Sequence, residues 1–187
     1  MDRGRPALRL IPGEKPLAEA DPPRDATSLE AIFKRYSPYV AAVAIRLLGR
    51  DEDVDDVVQD VFLAAIKGIA QVREPEAIKG WLATVAVRVS RRKLQARRVR
   101  SFFGLDHVPD YEQIVAPGAS PEQKALLGRV YAILDALPVE VRIAWVLRNI
   151  EGEQLDEVAR LSGCSLATAK RRIAAAQQEM ERVLSDA

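Results

Sequence analysis

Residues 154–177 read QLDEVARLSGCSLATAKRRIAAAQ. Leu155, Val158, Ala159 and Leu161 recur at helical spacing and predict a short helix with one apolar stripe. Gly163 stands where the chain must turn sharply, and Ser165 is placed to cap the next helix. Ala169, Ile173 and Ala176 give that second helix an inner face, while Thr168, Lys170, Arg171 and Arg172 decorate its outer one. This is the pattern of a helix-turn-helix, whose second helix enters the DNA major groove by its N-terminal part. Cations and short hydroxyls there bond phosphates and base edges. The same residues also suit an ordinary helical hairpin with solvated basic side chains. Cys164, in the turn, reads as a small filler rather than a redox switch.

Upstream of this motif, Ser120 is a good cap, with Pro121 at the first helical position and Glu122 after it. Leu126, Leu127, Val130, Tyr131, Ile133, Leu134 and Leu137 predict one helix. Pro138 restarts the chain, and Val141, Ala144, Trp145, Leu147 and Ile150 serve a second helix, ended by Gly152. Residues 121–187 therefore read as one small helical domain.

Residues 101–120, SFFGLDHVPDYEQIVAPGAS, break every period and hold no lysine or arginine. They read as a flexible linker, although Phe102, Phe103, Tyr111 and Ile114 are apolar for a plain spacer.

Residues 29–100 predict three more helices. From Leu29 to Gly49 the apolar residues Leu29, Ile32, Phe33, Tyr36, Val40, Val43, Ala44 and Leu47 recur in steps of three and four, with Ser28 as a candidate cap and Pro38 as a site of kinking or restart. The next stripe is Val54, Val57, Val58, Val61, Phe62, Ala65, Ile66 and Ile69. It is preceded by acids that suit a helix N-terminus. The third helix starts near Pro75 or Glu76, with Ile78, Trp81, Leu82, Val85 and Val89 as its buried seam. Lys79, Arg88, Arg91 and Arg92 lie on its other face, Lys93 follows on the helix, and Arg97, Arg98 and Arg100 carry the basic run into its frayed end. Residues 51–60 hold six acids and no base, and residues 88–103 hold seven bases and no acid, in a chain whose net charge is only +1. Two faces of opposite sign suggest two different partners. Residues 1–28, with five of the eleven prolines and no period, read as a disordered leader.

The totals exclude several classes of function. One cysteine rules out an internal disulfide framework, and one histidine, His107, leaves no zinc cluster and little from which to build a catalytic triad. No glycine-rich phosphate loop is present. The expectation is a protein with no catalytic residues, metal or cofactor. No apolar run approaches the roughly 20 residues of a membrane span, so no membrane insertion is expected and the location read from the sequence is cytoplasmic.

In order and spacing, DVDDVVQDVFLAA, GWLATVAVRVSRRKL and LPVEVRIAWVLRNIEGEQLDEVARLSGCSLATAKRRI resemble an extracytoplasmic-function (ECF) RNA polymerase sigma factor of the sigma-70 family. The resemblance covers about residues 29–100 and 121–184. It implies an all-α fold of two helical domains, sigma region 2 at 29–100 and sigma region 4 at 121–187, joined by the linker. It implies core polymerase as a partner, with Asp53, Asp55, Asp56, Gln59 and Asp60 docking on the β′ clamp helices and the second domain meeting the β flap. It also implies promoter DNA as a partner. Lys79, Trp81, Arg88, Arg91, Arg92, Lys93, Arg97, Arg98 and Arg100 would serve the opened −10 element, and Ser165, Thr168, Lys170, Arg171 and Arg172 the −35 element. The linker would thread toward the polymerase active site, its acids Asp106, Asp110 and Glu112 mimicking nucleic acid. Such proteins are commonly held by an anti-sigma factor. The chain departs from the family at Arg88, where asparagine is common, and in AAAQQEMERV, where further arginines are usual. A helix-turn-helix regulator with an N-terminal sensor or dimerisation domain is the alternative, but it has no need of an acidic helix followed by a basic one containing Trp81.

Overall fold

The computed structural model describes residues 29–50, 52–69, 72, 74–103 and 119–185. The leader, His107, the acids Asp106, Asp110 and Glu112, and the candidate cap Ser28 lie outside the described residues. Seven helices and no strand are found among the described residues: α1 (Leu29–Leu48), α2 (Val54–Gly68), α3 (Ala77–Phe102), α4 (Pro121–Ala136), α5 (Val139–Asn149), α6 (Leu155–Ser162) and α7 (Leu166–Ser185). The first three pack on one another, and the last four form the second unit around α5 and α7.

Each helix follows from its sequence. α1 runs through Pro38 without restarting. The proline is exposed, so the carbonyl it leaves without a partner can meet water, while Ile32 before it and Val40, Val43, Ala44, Leu47 and Leu48 after it are buried. Gly49 ends α1 at φ +70°, a conformation that favours glycine. α2 carries Asp55 and Asp56 in its first turn, where the helix dipole favours anions. α3 has 26 residues, about 39 Å at roughly 1.5 Å per residue. It stays helical through Phe102, so the expected frayed end is ordered helix and Arg97, Arg98 and Arg100 all lie on it. α4 opens on a capping box in which Ser120 and Gln123 bond each other's backbone N–H.

The two units do not stand apart. α3 packs on α5 and α6, and α1 packs on α5. Tyr131, fully buried, donates its hydroxyl to the Arg46 carbonyl at 2.7 Å. Arg142, also buried, donates Nε to the Leu47 carbonyl at 2.9 Å and is paired with Asp135. These bonds satisfy C-terminal carbonyls of α1 from the other domain. They turn the end of that helix into a socket.

Three assignments to the apolar stripes differ from the structure, and one of them is Leu29 at the exposed start of α1. Phe33 and Ile66 belong to the stripes of α1 and α2, yet they are 45% and 58% exposed. Each stripe is wider than one three-helix core can cover, so its outer edge faces solvent.

Candidate nucleic-acid interface

The helix-turn-helix is built as its residues dictate. α6 ends on Gly163 at φ +63°, and the Gly163 and Cys164 amides donate to the carbonyls of Arg160 and Ala159. Ser165 then caps α7: its hydroxyl accepts the Thr168 amide at 3.2 Å and lies 2.9 Å from the Thr168 hydroxyl. Ala169 and Ala176 are buried, which fixes the rotation of α7. Ser165, Lys170 and Arg171 therefore face outward, with Thr168 and Arg172 half-buried beside them. Trp145 on α5 supports this helix, its indole N–H donating to Gln177 Oε1 at 3.3 Å.

The basic strip on α3 divides into unlike groups. Arg88, Arg92 and Arg100 are exposed. Arg97 is only 5% exposed: Nε and Nη2 bond the Asp53 carboxylate at 2.8 and 2.5 Å, and Nη1 bonds the Leu48 carbonyl at 2.9 Å. Burial pushes the Asp53 carboxyl up, but the bond to Arg97 and the charges of Arg97, Lys93 and Arg50 outweigh it and hold the group below the usual carboxylate range. Lys93 reaches Asp56 at 2.8 Å, and Arg92 stands 3.7 Å from Asp60. Thus the two opposite faces, which the sequence suggests serve two partners, are in large part turned toward each other. Asp53 and Asp56 form the α2 side of a ladder between the helices, Arg97 and Lys93 form the α3 side, and the looser Arg92–Asp60 pair stays at the surface beside it.

Asp55 and Gln59 point the other way and are exposed. They border an apolar groove of about 610 Å³ between α1 and α2, lined by Phe33, Val58, Phe62, Leu63 and Ile66. Phe33 and Phe62 meet edge to face with centroids 4.8 Å apart. The sequence reading missed this groove. Its signal was Leu63, which falls off the α2 stripe yet is apolar.

The remaining assigned residues meet neighbours within the α1–α3 unit or across the interdomain seam. Lys79 stands over the Tyr39 ring at 5.1 Å, and Trp81 is half-buried against Gly68. Arg91 donates Nη2 to the Ser162 carbonyl at 2.8 Å, and Arg98 donates to the Leu137 carbonyl at 3.1 Å. Arg160 of α6 reaches Thr84 Oγ1 at 3.0 Å. No group of metal-ligating side chains is present among the described residues, and none of their helices is long and apolar enough to cross a membrane.

Residues 32–100 match sigma-70 region 2, and residues 127–180 match sigma-70 region 4. The chain belongs to the sigma-70 family, as a sigma factor of the ECF type. The ECF sigma factor SigE of Mycolicibacterium smegmatis is 29% identical over 163 residues, a match covering 84% of this chain and 62% of that longer protein. The sigma-H factor of Pseudomonas aeruginosa is 23% identical over 171 residues, covering 86% of this chain and 88% of the relative. A solved structure of the sigma factor RpoE in complex with the anti-sigma factor NepR, from Bartonella quintana, shares the fold at a TM-score of 0.60 with 22% identity, covering 84% of this chain and 94% of that one. In this sigma factor, region 2 is the α1–α3 unit and region 4 the α4–α7 unit, so the role of the molecule lies in transcription initiation. Outward cations stand on α3 in region 2 and on α7 in region 4.

Proposed function

We propose that this sigma factor binds core RNA polymerase through the outer face of α2 and the region 4 surface, and directs it to promoters by reading two DNA elements. Asp55 and Gln59, with the apolar groove beside them, offer the β′ clamp helices a polar rim around an apolar centre, which is the usual build of a protein interface. Asp53, Asp56 and Asp60 contribute mainly by holding α2 to α3. Arg88, Arg92 and Arg100 track the backbone of the opened −10 strand, joined by Lys79 and by Arg91 and Arg98 once those leave their interdomain partners. Trp81, Lys93 and Arg97 position α3. Ser165, Thr168, Lys170, Arg171 and Arg172 read the −35 element in the major groove. An anti-sigma factor that covers these faces would hold the protein inactive; the structural relative RpoE is solved in complex with an anti-sigma factor. The protein works in the cytoplasm and has no chemistry of its own.

The observation that carries this reading is the orientation of α7, whose cap, turn and buried alanines present Ser165, Lys170 and Arg171 to solvent at the N-terminal end of the helix. The test is run-off transcription with purified core enzyme on promoters selected from a random library. Activity from the full chain, its loss on Asp55→Arg with Gln59→Arg, and its loss on Lys170→Glu with Arg171→Glu support the reading. A chain that binds duplex DNA but never joins core polymerase overturns it in favour of a helix-turn-helix regulator.

A further inference from the structure

One carboxylate stands between the two DNA-reading surfaces. Glu140, in the first turn of α5, places Oε1 3.2 Å from Nε of Arg91 on α3 and Oε2 3.7 Å from Nη1 of Arg172 on α7. Its two oxygens therefore face one guanidinium from the −10 strip and one from the −35 reading helix. All three side chains are partly shielded, with 24%, 23% and 32% of the Arg91, Arg172 and Glu140 side chains exposed. Neither contact is a hydrogen bond: Arg91 Nε and Arg172 Nη1 are buried atoms without a hydrogen-bond partner. A buried donor in that state is costly, and a phosphate, with more acceptor oxygens than a carboxylate, would satisfy it better.

We propose that Glu140 is an internal stand-in for DNA phosphate, a latch that holds Arg91 and Arg172 together and keeps the free protein from gripping DNA. The proposal rests on the promoter reading above. Elements centred near −10 and −35 lie roughly 25 base pairs apart, about 85 Å along duplex at 3.4 Å per step. In the structure Arg91 reaches region 4 itself, its Nη2 lying 2.8 Å from the Ser162 carbonyl. The closed arrangement therefore cannot read both elements at once, and the latch must release before both helices reach DNA. Because Glu140 satisfies its arginines poorly, release costs little when phosphates take its place. Promiscuous binding by the free chain is nevertheless suppressed, because an approaching phosphate must displace an anion already in position. Glu140 touches no DNA in this scheme and is a positioning residue.

The experiment compares wild type, Glu140→Gln, Glu140→Ala and, as a control for net charge, Asp156→Asn on the exposed side of α6. Each full-length chain carries a donor and an acceptor dye, one in each domain. Interdomain energy transfer is measured without DNA, and binding to a 25-base-pair duplex of random sequence is titrated against salt. The expected result for both Glu140 variants is lower energy transfer. Duplex affinity should rise about tenfold at low salt, with a log–log salt slope steeper by up to about 1.8, the value for two added phosphate contacts. Asp156→Asn should leave the transfer unchanged. Glu140 variants with wild-type transfer, and a slope no steeper than that of Asp156→Asn, overturn the latch. Run-off transcription with core enzyme is measured alongside. Loss of run-off in wild type overturns the sigma reading itself, whereas wild-type run-off with unchanged transfer in the Glu140 variants overturns only the latch.

Discussion

At the scale of single residues, Gly49 and Asp53 show how region 2 is tied off. Gly49 takes φ +70°, and a Cβ there would meet the Tyr131 ring, with Cε1 at 2.8 Å, and Arg142 Nη2 at 2.8 Å. Gly152 takes φ +77° with nothing within 4 Å of an added Cβ. Alanine at Gly152 should therefore cost only the backbone strain, about 1–2 kcal/mol. Alanine at Gly49 should cost that plus overpacking of about 1–3 kcal/mol. The check is a pair of thermal melts: Gly49→Ala should melt several degrees below Gly152→Ala, and equal melting points would mean that Tyr131 does not press on the end of α1 in solution. Asp53 gives a second prediction. Its carboxyl is held below its ordinary value in the folded chain, so its contribution is present above about pH 4, the unfolded value, and is lost as pH falls through the lower folded value. Stability to denaturant should fall from pH 4 downward. Asp53→Asn should flatten that fall and, at neutral pH, lower stability by about 3 kcal/mol, because it leaves buried Arg97 without its counter-charge.

At the scale of elements, α3 shows what was legible and what was not. Its existence, its seam of Ile78, Trp81, Leu82, Val85 and Val89, and its cluster of cations all follow from period and composition; all are present, except that Trp81 is half-buried rather than buried. The division of labour among those cations was not legible, because it depends on which side of α3 meets α2 and which meets α5 and α6. A four-residue step carries Lys93 to Arg97, the row that α2 acids claim, whereas Arg88, Arg92 and Arg100 stay at the surface. Only the packed arrangement decides that. The helix-turn-helix was legible almost to the residue, since Gly163 and Ser165 report local geometry that needs no partner. The groove beside α2 was not, since a buried stripe and an interface stripe have the same period. The division of α3 is testable. Arg88→Ala, in chain bound to core enzyme, should weaken promoter binding, reduce the salt slope by about 0.7–0.9 and leave the melting point near wild type. Arg97→Ala should instead lower the melting point before any DNA is added. If both act alike on the salt slope, with no loss of stability for Arg97→Ala, the internal ladder is not formed in solution.

At the scale of the whole molecule, the seam between the domains is polar, and its charges set how it answers to pH. Arg46 on α1 binds Glu151 in two-pronged fashion, Nη1 lying 3.0 and 2.9 Å from Oε1 and Oε2. Burial nevertheless pushes the Glu151 carboxyl above its ordinary value, and Arg46 opposes this only in part. Glu153 is raised as well, by burial and then by the neighbouring charges of Glu157 and Glu151, with Lys79 and Arg160 opposing. Tyr39, on the same seam, is pushed up to about 12 by burial and by the same acids, so it stays protonated throughout. A carboxyl with a raised value in the closed state binds its proton more tightly there than when exposed. Its contribution to closure is complete below the ordinary glutamate value, near pH 4, and is lost as pH rises through the raised one. Closure should thus strengthen as pH falls through the raised values toward the ordinary glutamate value, the reverse of what a simple salt bridge between Arg46 and Glu151 would give. Asp53 acts only at lower pH and with the opposite sign, so the two windows separate. Interdomain energy transfer in the free chain should rise on mild acidification. Glu151→Gln should hold it near its acid value at pH 7 and remove most of the pH dependence, since the amide keeps an acceptor for Arg46 without the buried charge. Transfer that falls with acid in wild type, or a Glu151→Gln chain that opens at pH 7, would mean that the attraction of Arg46 for the charged carboxylate outweighs the cost of burying it.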